Sequence, residues 1–143
     1  MLDRVRVRGW VRVRKNGVLI REGENLVVKR GREILASRIG GGALAAPSHL
    51  AVGSSAAAVS DDQLALMGTE HQRRALDSIS VLSNTVTYTG QLGPGLPSLV
   101  VCRELGIFNA AIGGDMLCRF ITAEFQLEGT DVLDVDWTLQ IGD

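Results

Sequence analysis

The stretch RVRVRGWVRVRKNG, residues Arg4–Gly17, alternates between two kinds of side chain with a period of two. Successive side chains of a β-strand point to opposite faces, so one face receives valines and the other receives arginines together with Trp10. The valines are Val5, Val7, Val11 and Val13. The arginines are Arg4, Arg6, Arg8, Arg12 and Arg14, and they are called the basic strip below. The pattern predicts a half-buried strand with guanidinium groups on its open face.

The residues that follow predict a hairpin. Asn16-Gly17 is a strong hairpin signal because both residues tolerate a positive φ. Val18–Arg21 is the expected returning strand, and a second turn around Gly23-Glu24 is expected before the short apolar run Leu26–Val28. Residues 1–30 are therefore predicted to form a basic N-terminal β-hairpin.

A short helix is predicted over residues 31–39. Ile34 and Leu35 fall on one helical stripe with Arg38 and Ile39, and Gly40–Gly42 is expected to end the segment. Pro47–Val52 is predicted to be a strand. Gln63–Met67 is predicted to form one helical turn, with Ser60 or Asp61 as its N-cap.

The C-terminal half predicts further strands. They are expected at 73–83, 84–92, Leu99–Phe108, Met116–Leu127 and, with the clearest alternation, Leu133–Ile141. Antiparallel strands with one or two short helices and no βαβ rhythm define a mainly β protein. We expect one domain over 1–143, an antiparallel β-sandwich or jelly-roll-like barrel, with residues 47–143 supplying the remaining strands.

Charge is distributed unevenly along the chain, although the net charge is −1. Residues 1–32 carry ten basic and three acidic side chains, a balance of +7, whereas residues 33–143 have a balance of −8. The basic end therefore needs either internal pairing or an acidic partner. No apolar run approaches the ~20 residues of a membrane span, and charged residues follow Met1 closely, so we expect a soluble chain made in the cytoplasm.

The basic strip has three interpretations. It suits nucleic acid because guanidinium groups neutralise phosphates, but the rest of the chain is acidic and its few aromatic residues make no stacking platform. It suits a protein interface because arginine pairs bidentately with carboxylates. It also suits internal pairing with Asp134 and Asp136, although such cross-strand pairs contribute only about 0.2–1 kcal/mol each. We favour a protein interface with some internal pairing.

No residue pattern in the sequence indicates a catalytic site, a cofactor site or a metal site. Asp131, Asp134 and Asp136 lack the oxygen-rich loop of a calcium site, and Asp61-Asp62 is typical of a helix N-terminus. No serine lies in a nucleophile elbow, and the glycine-rich segments lack the Lys-Ser/Thr of a phosphate loop. His49 is expected to be a partly buried strand residue, and His71 lies in a polar stretch. Cys102 and Cys118 are expected to be buried thiols.

One segment has a familiar pattern. ELGIFNA at Glu104–Ala110 and GGDMLCRF at Gly113–Phe120 resemble small structural proteins of tailed bacteriophages. Supporting pieces occur in order at Asn25–Val28, at His49–Gly53, at Leu66–Glu70 with Arg73, and around Trp137. The resemblance covers about residues 25–141 and excludes the strand before residue 15.

The resemblance implies a non-enzymatic virion protein, made in the bacterial host, that packs against copies of itself and neighbouring virion proteins. The tail, fibre-attachment or baseplate region is favoured, and a capsid decoration (cement) protein is the alternative. A stand-alone module that binds glycan or nucleic acid is a third possibility.

The residues that carry the resemblance are expected to form the fold: Glu104, Gly106, Phe108, Asn109, Gly113, Gly114, Arg119 and Trp137. Glu104 is expected near a strand end, Gly106 at a close approach, and Asn109–Gly114 in a turn. Glu104 and Arg119 are predicted to pair across the two strands, which would fix their register.

Overall fold

The computed structural model describes residues 6–143, which form nine strands and one helix. The elements are β1 (Val7–Lys15), β2 (Val18–Val27), α1 (Lys29–Gly40), β3 (His49–Gly53), β4 (Glu70–Ala75), β5 (Ser78–Leu82), β6 (Thr85–Leu92), β7 (Val100–Phe108), β8 (Met116–Leu127) and β9 (Leu133–Ile141). The predicted class, a mainly β antiparallel fold, is confirmed.

All nine strands belong to one curled sheet that forms a half-barrel, in the order β4-β3-β7-β8-β2-β1-β9-β6-β5. Strand β2 joins two halves: residues 18–25 pair with β1, and Leu26 and Val27 pair with β8. We call β5-β6-β9-β1-β2 the front half and β8-β7-β3-β4 the back half. The inner faces of the two halves enclose the main hydrophobic core.

The N-terminal hairpin forms as predicted around Asn16 (φ 51°) and Gly17 (φ 84°), which make the left-handed turn that joins antiparallel strands tightly. The prediction of a second turn at Gly23-Glu24 is wrong. These residues continue β2, where they pair with Val11 and Trp10. The turn-forming glycine is tolerated inside the strand because the ring of Phe120 lies against the position of its missing side chain.

The single strand predicted over 73–83 is also wrong, because the chain bends at Leu76-Asp77. The backbone N–H of Leu76 donates to Ser48 O in the back half, and that of Asp77 donates to Thr89 O in the front half. Strands β4 and β5 consequently lie at opposite ends of the sheet order, and this bend helps the sheet to curl.

Helix α1 contains the predicted segment and starts two residues earlier, at Lys29. It ends at Gly40, within the glycine run as expected, and the C-cap residue Gly41 has a left-handed φ of 71°. Gly31 lies against β8, where a Cβ would be 1.9 Å from Leu117 O, so only glycine allows this approach. The strand expected at Pro47–Val52 is β3, displaced to His49–Gly53.

Trp137 is the largest fully buried side chain of the core, with 0% of its surface exposed. It lies on β9 between Val11 of β1 and Tyr88 of β6, and it meets the ring of Phe120 edge to face at 6.4 Å. The front half is thereby packed onto the back half through one aromatic contact.

Replacing Trp137 by alanine should lower the free energy of unfolding by ~3–5 kcal/mol, because a large cavity replaces a core ring. Chemical denaturation measures this loss. The matched control is Trp10→Ala on the neighbouring strand, where the ring is 44% exposed; its cost should stay below about 1.5 kcal/mol. Equal costs for the two substitutions would contradict the placement of the core.

The two cysteines are free and buried, as predicted. Cys102 of β7 pairs with Phe125, and Cys118 of β8 pairs with Ile107. The two cysteines therefore lie at different positions along the β7–β8 pair. Burial raises the pKa of the Cys102 thiol to about 12 and raises the pKa of Cys118 well above its usual range.

A maleimide at about pH 8 should therefore label neither cysteine in the folded protein, because maleimide needs an accessible thiolate. In denaturant it should label both. Mass spectrometry of the intact chain counts the labels, and rapid labelling of the native protein would show that these strands are open.

Candidate functional site

The outer face of the front half is polar and carries the basic strip. Trp10, half-exposed, lies between Glu24 of β2 and Thr138 of β9. Further along the same face, β6 contributes Thr85, Thr87, Thr89 and Gln91. This face therefore presents one aromatic ring within a field of hydroxyl, amide and charged groups.

Two arginines of the basic strip have internal partners. Arg14 Nη1 donates to Asp136 Oδ2 at 2.7 Å, and both side chains are about one-third exposed. Arg12 Nε lies 3.6 Å from Glu22 Oε2, with both side chains about half exposed. Internal pairing, one of the three interpretations above, thus applies to the Lys15 end of β1.

The other end of β1 differs. Arg6 and Arg8 form no ion pair with any residue in 6–143, and both are exposed. Arg4 lies outside the described residues, as does Val5. In the described residues, the basic strip is thus divided into a paired end, at Arg12 and Arg14, and an exposed end, at Arg6 and Arg8.

Two shallow clefts meet at Arg8 and Gly9. One, of about 260 Å³, is lined by Trp10, Glu24, Thr138 and Gln140. The other, of about 450 Å³, is lined by Arg6, Asn25 and Arg32 among others. Arg32 already pairs with Asp61 through two hydrogen bonds of 2.7 and 2.8 Å. Arg8 is the cation shared by both clefts.

A second cluster lies on the outer face of the back half. Glu104 and Arg119 are both fully buried, and Arg119 Nε donates to Glu104 Oε1 at 2.9 Å. The predicted pairing is confirmed. Glu104 lies inside β7 and not near its end, so that part of the prediction is wrong. Gly106, directly across from Arg119, leaves room for Leu66 to pack on the strand.

The pair holds residues 54–68, called the clamped loop below. Glu104 accepts hydrogen bonds from the backbone N–H groups of Ser55, Met67 and Gly68, each at 2.8 Å. Arg119 donates to the same loop, to Ala57 O at 2.7 Å, Ser55 O at 3.1 Å and Gln63 Oε1 at 3.2 Å. A loop with no helix or strand of its own is thereby fixed over the sheet.

The helical turn predicted at Gln63–Met67 is absent for this reason. Its residues serve the buried pair, and Gln63 N donates to Ser60 O in an isolated turn. Asp61 caps a different element: its carbonyl accepts from Lys29 N at the start of α1. The side-chain bond from Arg32 lowers the pKa of Asp61. No sequence signal marked the residues that anchor this loop.

The other residues quoted for the sequence resemblance have structural contacts. The Arg73 guanidinium lies 3.8 Å from the centre of the Phe108 ring. Asn109 Oδ1 accepts from Asp115 N at 2.8 Å, which closes the expected turn. Gly113 and Gly114, with φ of 62° and 70°, supply the left-handed positions of that turn.

The histidines and acidic residues also have structural partners. His49 Nδ1, on β3, forms a hydrogen bond with Oγ of the preceding Ser48, and His71 Nε2 donates to Val101 O. The backbone N–H of Glu128 and the amide of Asn16 lower the pKa of Asp131. Within residues 6–143, no cluster of three or more His, Cys, Asp or Glu side chains is arranged to hold a metal ion.

Arg119→Lys should destabilise the protein by about 1–3 kcal/mol, because an ammonium group lacks the planar fork that satisfies three acceptors of the clamped loop. Limited proteolysis should cut residues 54–68 faster than in the wild type. The control is Arg14→Lys, whose side chain is one-third exposed and pairs with Asp136 on the front half, away from the clamped loop; its cost should stay within about 1 kcal/mol. Unchanged proteolysis of Arg119→Lys would contradict the clamp.

Comparisons with protein-family models, with curated proteins and with solved structures find no match. In the described part of the chain, no helix is long and apolar enough to cross a membrane.

Proposed function

We propose that this chain is a non-enzymatic structural protein of a tailed-bacteriophage virion, packed in repeated copies through the solvent-facing end of the basic strip. The tail, fibre-attachment or baseplate region is the favoured location, and capsid decoration is the alternative. The observation that carries the packing proposal is the juxtaposition of Arg6, Arg8 and Trp10, which have exposed groups and, for the arginines, no ion pair within residues 6–143.

Arginine and tryptophan are the side chains most enriched where binding energy concentrates in protein interfaces. Arg8 and Trp10 lie on the same face of β1, two residues apart, with the buried Gly9 between them. A partner carboxylate can pair with Arg8 while an apolar group covers the indole ring. Arg12 and Arg14 add less because Glu22 and Asp136 already neutralise them.

The partner is an acidic protein surface. Another copy of this chain can supply carboxylates, since Asp62 and Asp77 are exposed and form no ion pair within residues 6–143. A contact between a basic patch on one copy and a different acidic patch on the next is head-to-tail, and it builds a ring when the rotation closes. Closed rings suit tail and baseplate parts, which occur in small symmetric numbers.

Arg8→Ser should leave the thermal unfolding curve unchanged within experimental error but weaken association, measured by sedimentation velocity across a salt series. Arg12→Ser is the matched control, because it removes the same group from a pair that is already satisfied internally. Association should fall much less for Arg12→Ser. Unfolding of Arg8→Ser, or equal association of the two variants and the wild type, would overturn the packing proposal.

The location has its own test. Quantitative mass spectrometry of purified particles gives the copy number of the chain relative to the major capsid protein. A tail or baseplate part should be present in threes, sixes or twelves, and a decoration protein in hundreds. Absence of the chain from purified particles would overturn the virion assignment.

A glycan-binding module is a second candidate, favoured by the 260 Å³ cleft in which Trp10 is flanked by Glu24, Thr138 and Gln140. An exposed indole stacks on the apolar face of a sugar ring, and the polar neighbours are suited to bonding its hydroxyl groups. Titration with bacterial surface polysaccharide should then quench Trp10 fluorescence, and Trp10→Ala should abolish binding. A chain that binds no polysaccharide but still assembles would exclude this candidate.

A further inference from the structure

Strand β5 lies at one end of the sheet order, and its outer edge pairs with no described strand. All five of its residues are exposed, and none is charged. Ile79 is 49% exposed, Val81 70% and Leu82 78%. An uncharged, apolar edge strand presents free backbone N–H and C=O groups to any other strand, and isolated proteins normally avoid this arrangement.

The opposite end of the sheet shows the usual protection. Strand β4 carries Glu70, Arg73 and Arg74, and Glu70 pairs with Arg73 at 2.7 Å. Arg73 also donates to Ala110 O and Gly113 O, so the 109–114 turn is tied to this strand. Charged side chains therefore protect the β4 edge of the sheet from pairing with another strand. The β5 edge has no such protection within the described residues.

The two faces of β5 are unlike. Ile79 and Val81 pair with Tyr88 and Val86 of β6, so they lie on the core side of the front half. The back half does not cover them, which leaves an apolar strip beside the partly buried Val86. A strand that docks at this edge would bring its own side chains alongside the strip.

We propose that β5 pairs antiparallel with β5 of a second copy of this chain, with the two-fold axis at Ser80, to form a sheet that continues through both copies. In this strand the apolar residues Ile79 and Val81 lie symmetrically on either side of Ser80. Ile79 then lies opposite Val81 of the second copy, on the apolar face of both.

The second copy is chosen over other occupants for two reasons. Antiparallel self-pairing places apolar residues beside apolar residues and leaves no charge opposite the strip. Pairing of β5 with β4 of another copy would instead place Glu70, Arg73 and Arg74 along the uncharged strand. The self-pairing also closes with two copies and leaves no open edge of this kind, which stops further growth.

The surface is distinct from the proposed packing surface on β1, since β9 and β6 separate the two strands. A dimer through β5 would therefore be the building unit that the basic strip packs into a larger assembly. Each contact can fail without the other.

Cysteine cross-linking tests the register. Ser80→Cys should form an intermolecular disulfide under mild oxidation, because residues that face each other across an antiparallel pair have Cα atoms about 4.5–5.5 Å apart, within disulfide range. Ser78→Cys is the matched control, because residue 78 faces residue 82 of the second copy and lies roughly 13 Å from its own counterpart. The native cysteines are buried and do not interfere. Equal cross-linking of both variants, or none at all, would overturn the proposed register.

Sedimentation of the full chain tests the contact itself. The wild type should be a dimer at micromolar concentration, and Val81→Glu should raise the dimer Kd about a hundredfold, because the carboxylate enters the contact twice. Val18→Glu is the matched control: Val18 is similarly exposed, at 64%, and lies on β2 opposite Lys15. Its dimer should match the wild type.

A monomeric wild type would overturn the proposal, as would a dimer that survives Val81→Glu. If Arg8→Ser abolishes the dimer and Val81→Glu does not, the contact belongs to the basic strip. The β5 proposal then fails, and the proposed packing through β1 stands. For a chain that dimerises through β5 but does not assemble further, Val81→Glu abolishes the dimer and Arg8→Ser does not. The β5 proposal then stands, and the proposed packing through β1 fails.

Discussion

The buried ion pair between Glu104 and Arg119 is the constraint on which the arrangement of the other surfaces depends. Each charge is fully removed from solvent, and an unpaired charge in that position would cost several kcal/mol. The cost is offset because four hydrogen bonds reach the carboxylate and four leave the guanidinium group. Six of the groups that bond the pair belong to the clamped loop. The loop therefore keeps water away from the two charges. The hydrogen bonds to these charges in turn hold the loop in place.

This clamp determines which outer surface of the sheet is covered by the chain's own residues. The outer face of the back half is occupied by the clamped loop, with Leu66 packed beside Phe108 and Met116. Among residues 6–143, no loop covers the outer face of the front half, which carries Arg8 and Trp10. The edge at β5 likewise pairs with no strand in the described part of the chain. Under the function proposed above, the protein works through these two uncovered surfaces, and the phage-like residues maintain the fold that presents them.

The sequence predicted the fold wherever one residue period persisted. The alternation in Arg4–Arg14 and Leu133–Ile141 identified β1 and β9, and Asn16-Gly17 identified the hairpin turn between β1 and β2. The positions at which strands are interrupted were harder to predict. The bend at Leu76-Asp77, for example, depends on hydrogen bonds to Ser48 and Thr89, which are distant in sequence. The Glu104–Arg119 pair could be predicted from strand pairing, but its bonds to Ser55 and Gly68 could not. Likewise, the sequence predicted a basic face with some internal pairing to Asp134 and Asp136, but only the structure showed that Arg14 pairs with Asp136 and Arg12 with Glu22.

Hydrogen exchange at individual amides of the wild-type protein tests the central claim most directly. Ser55, Met67 and Gly68 lie outside helices and strands, yet their N–H groups should exchange as slowly as those inside β7 and β8, because Glu104 holds them until the sheet opens. Leu64 and Ala65, exposed residues of the same loop, should exchange much faster. If all five amides exchange at the same fast rate, the ion pair does not fix the loop, and the outer face of the back half is open to partners after all.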